Sequence, residues 1–181
     1  VISTAEIANA QELNPAITPD KFQRIIEEKY SADIMFLIQQ ANLRSEQLKS
    51  EQMNALHNEI KAATEAPNKE LTNINVASYA SPDGGVKLNT TLAENREKNT
   101  VNYMKKSLKK GKIDADMTAE FTAQDWEGFK ELVSKSNIQD KELILNVLSM
   151  YSDPEQRERE IKNMSSVFKV LAEEILPQLR Y

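Results

Sequence analysis

The sequence predicts an α/β fold, in which helices pack on a small mixed sheet and a helical insertion follows. Three observations lead to this prediction. The first half contains a strand, an amphipathic helix and a second strand in succession, another long amphipathic helix comes next, and almost everything after residue 122 has helical periodicity. Only four glycines among 181 residues also favour a helix-rich chain. We therefore expect one α+β domain over residues 33–181, preceded by a leading segment, residues 1–32.

The leading segment is predicted to end in a short helix. Thr18-Pro19-Asp20 supplies an N-cap residue followed by proline at the first helical position. Phe22, Ile25 and Ile26 then recur at helical spacing as far as Tyr30. This helix would precede the main fold.

Residues 33–122 are predicted to form the core of the domain. Residues 33–38 are a short apolar run typical of a buried strand, and residues 45–64 place Leu48, Leu56 and Ile60 on one helical face. Residues 71–80 alternate as a strand does and run into the turn Ser81-Pro82-Asp83-Gly84-Gly85. Strand, helix and strand in this order predict a βαβ unit.

A second long helix is predicted for residues 91–110. Thr91 and Glu94 have the spacing of a capping box, and Gly111 marks the end. At 100° per residue the apolar face includes Ala93 and Met104. Arg96 falls at the flank of that face, so we expect it at the rim of the domain.

The last third is predicted to be a weak third strand, residues 117–122, and then a helical insertion, residues 123–181. The helical stripes here are Trp126, Phe129, Leu132 and Val133, then Leu143, Ile144, Val147, Leu148 and Tyr151, then Phe168, Leu171, Ile175 and Leu176. Asp153-Pro154 has the form of a helix start. We interpret Trp126 and Phe129 as core residues rather than as a platform for sugar stacking.

Composition and charge exclude several function classes. The net charge is -5 and the basic residues are dispersed, so we expect no nucleic-acid partner. No apolar run approaches the roughly 20 residues that span a bilayer. The chain has no cysteine and one histidine, His57, which the helical wheel places on an exposed face, so we predict no metal site and no cofactor. No pair of carboxylates stands in a catalytic motif, and we predict that the chain is not an enzyme.

One segment resembles the peptidoglycan-binding signature of OmpA-like C-terminal domains, in which a strand, a polar loop and an N-x-x-L-S-x-x-R-A helix start follow each other. Here the signature reads Asn89-Thr90-Thr91-Leu92-Ala93-Glu94-Asn95-Arg96-Glu97. The loop of residues 79–84, Asp125-Trp126-Glu127-Gly128 and Leu176-Pro177-Gln178-Leu179-Arg180 are similar to the Bacteroides-type variant, which carries a helical insertion. The resemblance covers residues 33–181.

The resemblance implies an OmpA-like βαβα(β) fold that holds the cell wall without covalent bonds. In that family an arginine takes the carboxylate of the stem-peptide diaminopimelate and a loop aspartate takes its ammonium. Ser81, Asp83, Asn89, Leu92 and Arg96 are the ligand-binding residues that the resemblance implies here. The implied partner is the peptidoglycan stem peptide, with envelope proteins as further candidates, and the implied location is the periplasm, in association with the outer membrane.

The chain departs from the family pattern at three points. Ser81 stands where the family has its aspartate, with Asp83 as a substitute two residues later, and Glu97 replaces a small alanine. The family fold normally closes with a strand shortly after the Leu-Arg-Arg-like segment, whereas this sequence stops at Tyr181, so we expect either a truncated fragment or a sheet that is completed differently. The sequence opens on Val1 without an initiator methionine, so we expect a mature product or an excised fragment, with any sorting signal or anchor outside it.

Alternative interpretations stay open at this point. Arg96 is also typical of a solvated helix arginine, and Asn89 and Asp83 of turn or capping residues. At the level of function, the alternative is a degenerate OmpA-like module that acts as a protein-protein adaptor in a cell-surface assembly.

Overall fold

The computed structural model describes residues 25–181, and the fold is α+β and rich in helix. Two strands lie among the helices, and the C-terminal part is helical. The elements in chain order are α1 (Ser45–Leu48), α2 (Glu51–Glu65), β1 (Ile74–Tyr79), α3 (Val86–Gly111), β2 (Met117–Thr122), α4 (Trp126–Lys135), α5 (Lys141–Met150), α6 (Pro154–Asn163), α7 (Ser165–Glu174) and a 3₁₀ helix (Leu176–Leu179).

The sheet in the described part of the chain has two parallel strands. Ile74 of β1 lies opposite Met117 of β2, and Tyr79 lies opposite Thr122. Because parallel neighbours need a crossover, α3 connects them and packs on the sheet, which makes β1, α3 and β2 the βαβ unit of this fold. The predicted third strand, residues 117–122, is confirmed, and the strand predicted at residues 71–80 is confirmed in its centre.

The strand predicted at residues 33–38 was wrong, because this segment joins no ladder. Ile34 and Phe36 are buried in the core as expected. The main chain bonds elsewhere: Met35 N–H donates to Oε1 of Gln47 at 3.0 Å, and Phe36 N–H donates to the carbonyl oxygen of Arg180 at 2.7 Å. The apolar pattern predicted burial correctly, but burial alone does not supply a strand partner.

Two of the predicted helices differ in the structure. The helix predicted before residue 30 lies partly outside the described residues, and residues 25–30 form no helix. Ile25 and Ile26 are 86% and 72% exposed, so no apolar contact stabilises a short helix there. The helix predicted at residues 45–64 divides into α1 and α2, because Oγ of Ser50 accepts a hydrogen bond from Met53 N–H and starts a new helix.

The long helix α3 begins five residues earlier than its predicted capping box. Gly84 adopts a φ of 106°, which favours glycine, and Gly85 is the N-cap residue. Thr91 therefore lies inside the helix, where its hydroxyl donates to the carbonyl oxygen of Lys87 at 3.2 Å instead of capping. As a consequence Arg96 lies about three turns from the N-terminus of the helix, beyond the reach of its dipole.

Two hydrophobic clusters stabilise the molecule. The first belongs to the α/β part and consists of Ile34, Phe36, Met53, Ile60, Ile74, Val76, Met104 and Leu108. The second belongs to α4–α7 and the 3₁₀ helix, and its members include Trp126, Phe129, Val133, Ile144, Leu148, Ile161, Leu171, Leu176 and Leu179. Residues 126–179 are largely helical as the sequence predicted, and Trp126 and Phe129 are buried in the core as expected.

Side-chain caps start two helices of the insertion. Oδ1 of Asp125 accepts from Gly128 N–H at 2.9 Å at the start of α4. Oδ2 of Asp153 accepts from Gln156 N–H at 3.1 Å, with Pro154 in the first turn of α6, as the sequence predicted.

We expect that Gly128→Ala lowers the free energy of unfolding by about 1 kcal/mol, although glycine to alanine within a helix ordinarily raises it. A Cβ at this position would collide with the carboxylate of Asp125, which caps α4. Chemical denaturation measures the change. Gly85→Ser is the control, because nothing lies within 4 Å of a Cβ there and serine is a good N-cap residue. A more stable Gly128→Ala protein would contradict this account of the cap.

Candidate functional site

The candidate site is built on the turn of residues 81–85, between β1 and α3. Asn89 is 3% exposed and lies in the first turn of α3. Its Nδ2 donates to the carbonyl oxygens of Ser81 at 3.0 Å, Asp83 at 3.3 Å and Gly84 at 3.2 Å. Asn89 therefore holds the shape of the turn, and its amide nitrogen faces the main chain.

Arg96 is fully buried, at 0% exposure, so the expectation that it lies at the rim was wrong. Its Nε donates to the carbonyl oxygen of Gln40 at 3.0 Å, Nη2 to that of Leu37 at 3.3 Å, and Nη1 to that of Tyr79 at 2.7 Å. The guanidinium also lies over the ring of Phe36, 4.9 Å from its centroid. A helical wheel shows only the residues of one helix. It therefore could not show that carbonyl groups from distant parts of the chain surround Arg96.

The charge of Arg96 has no acidic partner among residues 25–181. The guanidinium makes hydrogen bonds to neutral carbonyl groups, and no carboxylate forms an ion pair with it there. Burial, together with the positive charge of Arg180, lowers the pKa of Arg96 to about 10. A buried cation without a counter-charge is costly, because water no longer solvates it.

Arg180 is a second guanidinium of the same site. It is half-buried, and its Nε has no hydrogen-bond partner in the described part of the chain. Burial lowers the pKa of Arg180, while the nearby carboxylate of Asp83 raises it. Next to it, the rings of Tyr79 and Tyr181 lie 4.8 Å apart, and burial contributes most to raising the pKa of Tyr181 to about 12.

The remaining predicted site residues surround the same turn. Ser81 is buried, Leu92 is half-buried on the helix face between Asn89 and Arg96, and Asp83 is half-buried. The structure therefore brings the five predicted residues to one turn and one helix. It does not place them around an open pocket, because Ser81, Asn89 and Arg96 all have little contact with solvent.

The helical insertion holds the turn from the other side. Gly84 N–H donates to Oε1 of Glu158 in α6 at 3.0 Å, and Nε2 of Gln124 donates to the carbonyl oxygen of Gly84 at 2.9 Å. Nζ of Lys162 lies 3.5 Å from Oδ1 of Asp83. These contacts fix the turn between the two hydrophobic clusters.

Sequence reasoning missed three residues of this site, namely Tyr79, Lys162 and Arg180. Arg180 stands in the Leu-Pro-Gln-Leu-Arg segment that carries part of the resemblance, which is a signal that could have assigned it. Lys162 follows Glu158 by four residues, a spacing that predicts an ion pair on one helix face but not its contact with a distant turn.

His57 is half-buried, so its predicted exposure was wrong. Its Nδ1 lies 2.7 Å from the carbonyl oxygen of Met53, and its ring meets the ring of Tyr103 edge to face. Within residues 25–181, no three side chains of His, Cys, Asp or Glu come together as metal ligands would. Over the same residues, no helix combines the length and apolar character needed to cross a bilayer.

No family model, curated protein or solved structure matches this chain. The comparisons therefore assign no family.

We expect that Asn89→Asp lowers the free energy of unfolding by about 2 kcal/mol. The substitution replaces an amide donor with a carboxylate that faces the three carbonyl oxygens of the turn. Denaturant titration of the purified protein measures the loss. Asn95→Asp, the same change at an exposed position of α3, is the control and is expected to stay within about 0.5 kcal/mol. Equal stability of the two variants would contradict the role of Asn89.

Proposed function

We propose that the chain belongs with the OmpA-like domains and binds the peptidoglycan stem peptide without cleaving it. In this proposal an acid group of diaminopimelate binds at Arg96 and Arg180. The observation that carries the proposal is the buried charge of Arg96, which has no carboxylate partner among residues 25–181 and lies near a second guanidinium. The order of the motifs supports the same assignment: a turn comes first, then the helix from Asn89 to Arg96, and then the Leu-Pro-Gln-Leu-Arg segment.

The chemistry of the two guanidiniums suits a carboxylate. A guanidinium has five N–H donors in a planar fork, and Arg96 directs three of them to main-chain carbonyl groups. An incoming carboxylate would compensate the buried charge, and its bonds to a charged donor would be stronger than those to neutral carbonyls. It would also remove the repulsion between Arg96 and Arg180.

Binding requires a movement of the chain around Arg96. The carbonyl oxygens of Leu37 and Gln40 cover the guanidinium, and the side chain has no contact with solvent. Gln39, within this turn, has a φ of 54°, a conformation that costs free energy in a non-glycine residue. In the proposal, the turn of residues 37–40 opens when the ligand carboxylate replaces one of its carbonyl oxygens.

A second candidate function is a protein-protein adaptor of the cell surface, with the same fold and a lapsed ligand site. Two observations favour the adaptor function. Arg96 makes hydrogen bonds to the main chain, and Asp83 pairs with Lys162. In the adaptor, Arg96 and Asp83 would serve to stabilise the fold rather than to bind a ligand. In this case an envelope protein, rather than the wall, would be the partner.

We expect that the unmodified chain sediments with purified peptidoglycan and that Arg96→Lys weakens this binding roughly tenfold. Lysine keeps the positive charge but loses the fork of donors that matches a carboxylate. Arg159→Lys is the matched control, because Arg159 is exposed on α6. Arg180→Lys is a second variant, and we expect it to weaken binding as well. Arg180 is half-buried, so its substitution disturbs folding less than that of Arg96.

Circular dichroism establishes that each variant is folded before binding is compared. A folded Arg96→Lys or Arg180→Lys protein that sediments like the unmodified chain would sink the proposal. Failure of the unmodified chain to sediment, together with a defined complex with an envelope protein, would support the adaptor instead.

A further inference from the structure

Lys162 of the helical insertion reaches the candidate site with its ammonium group. Nζ lies 2.5 Å from Oε1 of Glu158 and 3.5 Å from Oδ1 of Asp83. It also lies 5.8 Å from the centroid of the Phe168 ring. Two carboxylates and an aromatic face therefore surround one ammonium, which is an environment that suits any primary ammonium group.

The ammonium group of Lys162 contacts the turn of residues 81–85 through the carboxylate of Asp83. The side chain of Asp83 is 28% exposed, so an external group can approach it. Its charge acts on two cations of this chain, Lys162 and Arg180.

We propose that Lys162 sets the ligand preference of the site, because its ammonium occupies Asp83 and competes with the ammonium of an incoming amino acid. This inference rests on the proposed function, since it concerns a ligand that carries both a carboxylate and an ammonium group. The carboxylate of the ligand binds the two arginines, and its ammonium reaches Asp83 after Lys162 has moved away.

Displacement of Lys162 leaves the turn in place. Glu158 belongs to the same helix and keeps its ion pair with Lys162, and it independently accepts the hydrogen bond from Gly84 N–H. The contact between Lys162 and Asp83 is partly exposed to solvent, and such ion pairs contribute little free energy. Lys162 therefore reduces the contribution of the ligand ammonium by competing with it for Asp83.

The test compares two ligands that differ in their ammonium groups, meso-diaminopimelate and pimelate, on the full chain and on Lys162→Met. Methionine keeps an apolar stem beside Phe168 and removes the charge. We expect Lys162→Met to bind meso-diaminopimelate about two- to fivefold more tightly, as the loss of one partly exposed ion pair implies. Pimelate lacks the ammonium groups, and we expect its affinity not to rise. Isothermal titration calorimetry measures both affinities.

Lys98→Met is the matched control, because Lys98 forms an i,i+4 pair with Glu94 on α3 and the substitution changes the net charge equally. Tighter binding of meso-diaminopimelate by Lys162→Met alone supports the inference. An unchanged affinity, or the same gain for pimelate or for Lys98→Met, overturns it. If neither the unmodified chain nor Lys162→Met binds meso-diaminopimelate, the proposed function fails as well. Binding by Lys162→Met alone would support the role of Lys162 and contradict wall binding by the unmodified chain.

Discussion

One buried guanidinium joins three parts of this fold that are distant in sequence. Arg96 projects from α3 and donates to the turn of residues 37–40 and to the last residue of β1. These contacts explain how a segment without a strand partner still packs on the α/β core, since its carbonyl groups are hydrogen-bonded to the side chain. The same arrangement buries a positive charge among neutral acceptors. In the proposed function, a ligand carboxylate would compete with the main chain for this one side chain.

The turn of residues 81–85 joins β1 to α3, and it is in contact with α6. Asn89 shapes the turn from α3, while Glu158 and Lys162 hold it from α6. A change in the packing of the insertion would move the turn and with it Asp83. Helix α6 thus contacts this turn through the ion pair of Lys162 with Asp83 and the hydrogen bond that Gly84 N–H donates to Glu158.

The sequence predicts an element well where its apolar periodicity agrees with the capping or turn residues at its ends. The helix that starts at Asp153 is of this kind, because its cap is a contact over three residues. The strand at residues 117–122 was only weakly signalled, and it forms by pairing with β1. The start of α3 was placed too late, since Thr91 and Glu94 imitate a cap while Gly84 and Gly85 form the real start. Arg96 was assigned to the surface for a different reason. Two of its three acceptors, Gln40 and Leu37, lie 56 and 59 residues earlier in the chain, and no local pattern contains them. Lys162 and Asp83 are even farther apart in the chain, and no local pattern predicts their contact either.

In the proposed function, Arg96 exchanges an internal carbonyl for an external carboxylate. Nuclear magnetic resonance of the arginine Nε–H groups, recorded while meso-diaminopimelate is added to the unmodified chain, tests it most directly. The account predicts that the Arg96 resonance shifts in a saturable way, together with the amide resonances of residues 37–40 as the turn opens. A resonance of Arg96 that stays in place up to ligand saturation, with no change in that turn, would contradict it and leave the guanidinium as a purely structural group.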